Sequence, residues 1–137
     1  MDTNKLLKAL DDESNENLMN FTTQKIKQMN YNIICELELT NKETNELLEK
    51  LNGYKYVDEI NDLRYGTYLR WINISNPEEI KLTKGAVFCN TKITYDGVYL
   101  TCKNYGFHSR HFQIKMDSNL IFQNEKKGNR RNDYLCW

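Results

Sequence analysis

Two alternating runs lie on either side of Asp96 and Gly97, in GAVFCNTKITYDGVYLTCKNYGF, and they limit the folds that this chain can adopt. Alternation of apolar and polar residues is typical of strands with one buried face, and Asp-Gly suits a two-residue type I′ turn. The sequence therefore predicts an antiparallel β-hairpin.

The predicted turn also fixes which side chains meet across the hairpin. With a two-residue loop, the core face has three facing pairs: Tyr95 with Val98, Ile93 with Leu100, and Thr91 with Cys102. The pairs on the opposite face are Thr94 with Tyr99, Lys92 with Thr101, Asn90 with Lys103, and Phe88 with Tyr105. The opposite face thus mixes cations with aromatic rings.

A second strand is predicted from Gly66 to Ile74, in the run GTYLRWINI. Large apolar side chains fall on both parities of this run, so both faces of the strand are partly apolar. We expect Leu69 and Trp71 to point inward. The outward residues, Tyr68, Arg70 and Ile72, lie either beneath the N-terminal helices or towards a ligand.

Further short strands are predicted in RHFQIKM, with Phe112, Ile114 and Met116 inward, and in LIFQ. Four or five short strands between Gly66 and Gln123 predict an α+β fold. In this fold, N-terminal helices and one strand pack on a small antiparallel SH3-like β-barrel or bent sheet. An OB-like barrel is the nearest alternative.

The N-terminal half has mainly helical patterns. A helical stripe runs from Asp2 to about Met29, interrupted near Ser14, and YNIICELEL at Tyr31 to Leu39 alternates as a half-buried strand would. Thr40 and Glu43 have the spacing of a capping box, which predicts a helix that ends at Gly53.

The charge is divided between the two halves of the chain. Residues 1–63 carry 7 lysines and 13 acidic residues, a net charge of −6, whereas residues 64–137 carry 12 basic and 6 acidic residues, a net charge of +6. We therefore predict one domain over residues 1–123, with an acidic helical part (1–62) and a basic β part (63–123), followed by a basic mobile tail (124–137). Such asymmetry indicates an anionic partner, unless the acidic half covers the basic half or meets it in a neighbouring copy.

No pattern in the sequence indicates catalysis, a metal or a cofactor. His108 and His111 lie three residues apart in a predicted loop and lack the paired ligands of a zinc site. The sequence has no G-x-S-x-G elbow, and its paired carboxylates lie in hydrophilic stretches. We expect a protein that is not an enzyme.

The four cysteines are widely separated, so reduced thiols are expected. Cys35, Cys89 and Cys102 lie in apolar runs and are expected to act as small buried hydrophobes. No stretch is apolar enough to span a membrane and no signal peptide is recognisable, which predicts a soluble intracellular protein that is not secreted.

Cations beside aromatic rings are the remaining constellation, and they fit nucleic-acid binding, because cations neutralise phosphates and exposed rings stack on bases. The alternative is that the N-terminal helices cover these rings as a second core face. The candidate contact residues are Arg64, Arg70, Lys92, Lys103, Arg110, Lys115, Lys126, Lys127, Arg130, Arg131, Tyr99 and Tyr105.

The run LRYGTYLRWINI, with KLTKGAVFC, DGV and FQIKMDSNLIFQ after it, resembles small uncharacterised proteins of giant, nucleocytoplasmic large DNA viruses over about Leu63 to Gln123. The resemblance assigns no site residue, and it implies the host cytoplasm or the virion as the setting.

Two classes of function remain open. The first is a non-enzymatic module that binds DNA or RNA without sequence specificity. The second is a virion structural or scaffold protein that acts through contacts with virion or host proteins, or that forms a homo-oligomer through its acidic and basic halves.

Overall fold

The computed structural model describes residues 22–104 and 110–125. Helix α1 covers residues 22–35, and helix α2 is Asn41–Lys50. Six strands follow: β1 Tyr54–Val57, β2 Tyr68–Asn73, β3 Ala86–Thr94, β4 Gly97–Asn104, β5 Arg110–Lys115 and β6 Asn119–Asn124. They form one antiparallel sheet in the order β1-β6-β2-β3-β4-β5, which confirms the predicted α+β class. The part of the predicted first helix before residue 22, with its expected break at Ser14, lies outside the described residues.

Helix α2 begins and ends as its sequence predicts. The Thr40 hydroxyl accepts a hydrogen bond from the Glu43 N–H at 3.2 Å and donates one to the Glu43 carboxylate at 2.9 Å. After the helix, Gly53 adopts a φ of 85°, which residues with a side chain rarely tolerate. The local capping and termination signals were therefore sufficient to locate this helix.

The strand predicted at Tyr31 to Leu39 is wrong, because α1 continues through residue 35. Ile34, the exception to the strand alternation, is fully buried, whereas Cys35 is exposed. The helix gives way to a turn in which Glu38 takes a left-handed φ of 56°. Apolar residues three and four positions apart form one face of a helix. Over a run this short, the same residues also fit the apolar-polar alternation of a strand.

The sheet is strongly bent, and its concave face encloses the first hydrophobic cluster. The Trp71 ring on β2 lies 5.8 Å, centroid to centroid, from the Phe112 ring on β5. Three strand spacings separate β2 from β5 in the sheet, about 14 Å if it were flat. All six strands contribute side chains to this concave cluster, whose fully buried members include Leu69, Leu100 and Cys102. The sheet is nevertheless not closed within the described residues, so the expected SH3-like barrel is not confirmed.

The helices cover the opposite face of β1, β6 and β2, where a second hydrophobic cluster lies. Ile34 of α1 and Leu51 after α2 pack there with Ile72 and Phe122 of the sheet, and all four are buried. Strand β2 therefore has two apolar faces because one faces the concave cluster and the other faces the helices. The predicted inward direction of Leu69 and Trp71 is confirmed, and Ile72 belongs to the helix-covered core.

The hairpin is confirmed, but its predicted register is wrong by two residues. Thr94 pairs with Gly97, so the loop residues are Tyr95 and Asp96 instead of Asp96 and Gly97. The Asp96 carboxylate stabilises this turn by accepting hydrogen bonds from the hydroxyls of Thr94 and Tyr99. Ile93 consequently pairs with Val98 near the tip, and it is 70% exposed because the core does not extend that far.

A β-bulge at Cys89 explains why one parity does not hold along β3. Asn90 pairs with Thr101, but Phe88 pairs with Cys102, so Cys89 is an extra residue in its strand. The bulge turns Phe88 into the concave cluster, where it is buried. The predicted outward position of Phe88 opposite Tyr105 is therefore wrong.

The buried side-chain amides of Asn30 and Gln123 bond to backbone groups of other segments, which the sequence analysis did not predict. The Asn30 side chain on α1 donates to the Tyr54 carbonyl at 2.8 Å and accepts from the Tyr56 N–H at 2.9 Å, as a neighbouring strand would. On β6, Gln123 accepts from the Arg64 N–H at 2.8 Å and donates to the Asp62 carbonyl at 3.0 Å. Asn30 thus closes one side of β1, and Gln123 positions the loop before β2.

Candidate nucleic-acid interface

The convex face of β3, β4 and β5 carries a row of two lysines and a tyrosine across three strands. Tyr99 on the central strand β4 pairs with Lys92 on β3 and with Lys115 on β5. Residues that face each other across strands project from the same face of a sheet. Lys92, Tyr99 and Lys115 therefore form one row, with the ring between the two cations. We call this face, from the Tyr99 row to the Lys103 row, the lysine face.

Lys103 and His111 lie on the same face, farther from the hairpin tip. They pair with each other across β4 and β5. Lys103 is four residues from Tyr99 on one strand, which corresponds to about 13 Å along it. The row between them consists of Asn90, Thr101 and Gln113, which are uncharged hydrogen-bonding residues.

The predicted grouping of Lys92, Tyr99 and Lys103 on one face agrees with this register, although the predicted pairs do not. A register shift of one residue would turn every side chain to the other face, whereas the shift of two observed here returns each to its original face. The sequence analysis therefore predicted correctly which side chains share the lysine face, but not which of them pair across the strands.

The hairpin tip ties the Tyr99 hydroxyl to an ionised carboxylate. Tyr99 donates to Asp96 at 2.9 Å, and Thr94 also donates to Asp96. The hydrogen bonds from Thr94 and Tyr99, with the charge of Lys115 nearby, lower the pKa of Asp96. The same carboxylate raises the pKa of Tyr99, so the phenol keeps its proton and its hydrogen bond at neutral pH. The sequence analysis missed this role of Asp96, although its place in the turn, two residues from Thr94 and three from Tyr99, was a usable signal.

Lys115 lies close to the turn as well as on the lysine face. A Cβ atom added to Gly97 would come within 3.1 Å of Lys115 Cε and 3.4 Å of an Asp117 carboxylate oxygen. The Lys115 side chain therefore crosses the backbone at Gly97, and its position depends on the turn.

Arg70 lies on the helix-covered half of the sheet and holds loops in place. Its Nε donates to the Thr83 carbonyl at 2.9 Å, and its guanidinium also donates to the Lys50 carbonyl at 3.3 Å. Lys50 is in the last turn of α2, where unpaired carbonyls favour a cation. The structure does not bring Arg70 into the Lys92, Tyr99 and Lys115 row.

Arg64 and Arg110 also lie apart from that row. The Arg64 guanidinium donates to the Asn124 carbonyl at 3.2 Å and forms an ion pair with Glu125 at 3.2 Å. Arg110 is exposed at the start of β5, and it pairs with Asn104 on the parity of the concave face. The other candidate residues, Tyr105, Lys126, Lys127, Arg130 and Arg131, lie outside the described residues, as does His108.

The helix-side hydrophobic cluster leaves out the three strands of the lysine face. Its described members come from the helices, the loops beside them and strands β1, β2 and β6. The described ion pairs, Arg64 with Glu125 and Lys81 with Glu79, both lie in the basic half, so neither joins the acidic half to the basic one.

The described cysteines differ in burial. Cys102 is fully buried, and burial raises the pKa of its thiol to about 12. Burial also raises the pKa of Cys89, which is partly exposed. The expectation of a buried cysteine is therefore confirmed for Cys102 and wrong for Cys35, which the unforeseen end of α1 leaves exposed.

The described residues hold neither a cluster of metal-binding side chains nor a helix that could span a membrane. Within residues 22–104 and 110–125, no group of three or more histidine, cysteine or acidic side chains is arranged to hold a metal ion. Neither described helix is long and apolar enough to cross a bilayer.

Comparison with protein-family models, with curated proteins and with solved structures found no significant match to this chain.

Proposed function

We propose that the protein is a non-enzymatic module that binds DNA or RNA through the lysine face, without base specificity. The observation that carries this proposal is the strand register, which sets Lys92 and Lys115 on either side of Tyr99 and places Lys103 on the same face. Cations held on a rigid sheet can contact successive phosphates and release their counterions.

The distribution of acidic residues also supports the binding of a polyanion on the lysine face. The rows from Tyr99 to Lys103 contain no carboxylate among their described residues, and Asp96 and Asp117 lie beyond them at the tip. A polyanion bound on the lysine face would therefore extend away from the tip.

Binding is tested by fluorescence anisotropy with labelled DNA and RNA 20-mers at 50 and 200 mM NaCl. The triple variant Lys92→Ala, Lys103→Ala and Lys115→Ala is expected to bind at least about tenfold more weakly at low salt, with a smaller dependence on salt, because each neutralised phosphate contributes about 0.7 to 0.9 to the slope of log K against log salt.

The matched control removes three exposed lysines elsewhere, with Lys25→Ala, Lys42→Ala and Lys81→Ala. It loses the same net charge and should bind within about twofold of the unaltered chain at 200 mM salt, where the Debye length is short. Equal weakening of both variants, or no binding of the unaltered chain at 50 mM salt, would refute the proposal. Circular dichroism verifies that both variants fold.

The exposed hairpin tip favours a second candidate function, a virion or scaffold protein that acts through protein contacts or self-assembly. Ile93 is 70% exposed and Tyr95 is fully exposed, and large exposed apolar side chains often mark protein contacts. This alternative suits the viral setting implied by the sequence resemblance. Light scattering tests its self-assembly form, which a concentration-independent monomer would contradict.

A further inference from the structure

We infer that the lysine face binds single-stranded nucleic acid in preference to duplex, with the Tyr99 ring as the platform on which one base stacks. This inference rests on the proposed function, and it names the ligand class and the residue that selects it.

The position of Tyr99 is the first reason. It lies on the central strand of three, with Lys92 and Lys115 at the facing positions on both sides. Neighbouring strands are about 4.8 Å apart, so the two lysines originate about 10 Å apart with the ring between them. A nucleotide whose base stacks on Tyr99 thus has Lys92 on one side of it and Lys115, whose side chain lies over Gly97, on the other.

The hydrogen bond to Asp96 is the second reason. The Tyr99 hydroxyl is bound to a carboxylate that the turn itself holds, so the ring is restrained before any ligand arrives. A restrained side chain loses less conformational entropy on binding. Tyr99 is partly exposed, and the negative charge of Asp96 disfavours a phosphate directly at its hydroxyl, so we expect a nucleic acid to contact the exposed part of the ring.

The neighbouring row is the third reason. Asn90, Thr101 and Gln113 are neutral, and Asn90 and Gln113 are exposed. Amides and hydroxyls can bond to base edges, which are free in a single strand and already paired in a duplex. The third row consists of Val87, which is buried, with Lys103 and His111. A stacking row between two lysines, a hydrogen-bonding row and a further lysine fit one strand with its bases turned towards the sheet.

A duplex makes poor use of the same surface. Its bases are stacked on one another, so no base face is available to Tyr99, and the broad face of a three-stranded sheet does not enter a major groove that admits a helix or a two-stranded ribbon. Only the lysine contacts to phosphate would remain, whereas a single strand adds stacking, which is sequence-tolerant and strong enough to dominate the difference.

The experiment compares one labelled 20-mer as a single strand and as its duplex, at 50 mM NaCl, with the full chain. We expect the single strand to bind at least about tenfold more tightly, because one stacked base corresponds to about 5- to 150-fold in affinity. Tyr99→Ala should remove most of that preference while leaving the salt dependence unchanged, since no cation is lost. Tyr99→Phe, which keeps the ring, should retain most of the preference.

Tyr95→Ala is the matched control, because Tyr95 is a fully exposed tyrosine in the same hairpin and outside the row. Tyr95→Ala should bind like the unaltered chain. Duplex binding as tight as single-strand binding, or equal losses from Tyr95→Ala and Tyr99→Ala, would overturn the inference while leaving nucleic-acid binding intact. Absence of binding to either form would overturn the proposed function and this inference with it.

Discussion

Among single residues, the buried amide of Gln123 has a large effect on the fold, because it positions the loop before β2. Gln123 is 2% exposed and bonds to three partners in the loop before β2: the N–H of Arg64, the hydroxyl of Thr67 and the carbonyl of Asp62. Without the amide, the Arg64 N–H and the Asp62 carbonyl would lose this hydrogen bond, whereas the Thr67 hydroxyl could still donate to the Arg64 carbonyl. Gln123 therefore links the two ends of this loop segment to β6.

Gln123→Leu should therefore destabilise the protein by about 1–3 kcal/mol, because the part-buried Arg64 N–H and Asp62 carbonyl lose their hydrogen-bond partner. Urea unfolding followed by circular dichroism measures the change. Gln113→Leu on the exposed face of β5 is the control, and it should stay within about 0.5 kcal/mol of the unaltered chain. Equal stability of the two variants would show that the Gln123 hydrogen bonds contribute little.

At the scale of elements, the β-bulge at Cys89 allows β3 to serve two environments. Residues before the bulge place Phe88 in the concave cluster, and residues after it place Lys92 on the lysine face, although both residue numbers are even. Strict alternation would put these two side chains on the same face. One extra residue thus separates a core position from a position on the lysine face along one strand.

Deletion of Cys89 should consequently destabilise the fold by at least about 3 kcal/mol, because the strand must then either withdraw Phe88 from the core or turn Lys92 inward. Thermal unfolding compares this deletion with Cys89→Ala, which preserves the bulge and should lower stability by about 1 kcal/mol or less. A deletion variant that melts within a few degrees of Cys89→Ala would contradict this role.

The elements that could be predicted from the sequence are those with local signals. Thr40, Glu43 and Gly53 mark α2, and the Asp-Gly dipeptide marks the hairpin. The bulge at Cys89 was not predictable from local sequence, because it depends on the packing of Phe88 against residues that are distant in the chain. The end of α1 was missed because a few apolar residues fit both helical and strand periods.

Strand alternation predicts which face of the sheet a side chain lies on, and only this part of the candidate site was predictable from the sequence. Lys92, Tyr99 and Lys103 were grouped correctly because a register shift of two preserves the face. Arg70 was placed beside them, yet its hydrogen bonds to Thr83 and Lys50 depend on a loop and a helix end that β-strand alternation does not describe.

At the scale of the whole molecule, the last described strand holds the two clusters together. β6 lies between β1 and β2, and it contributes Ile121 to the concave cluster and Phe122 to the helix-side cluster. The sheet therefore cannot be completed until the chain has passed through β3, β4 and β5. Neither cluster retains its packing without β6.

We therefore expect a single cooperative unfolding transition. Helix loss measured by circular dichroism at 222 nm and loss of Trp71 burial measured by fluorescence should share one urea midpoint, in a Trp137→Phe background that leaves Trp71 as the sole tryptophan. A helix signal that melts clearly before the Trp71 signal would show that the helix-side cluster unfolds independently.

The Asn30 side chain has a consequence for how this protein meets other chains. It occupies the Tyr54 carbonyl and the Tyr56 N–H, two of the backbone groups through which a foreign strand would extend the sheet beyond β1. The opposite edge is β5, which contributes Lys115 to the lysine face. Asn30 thereby hinders strand addition at β1, and under the proposed function a peptide strand added beside β5 would compete with the nucleic acid for Lys115.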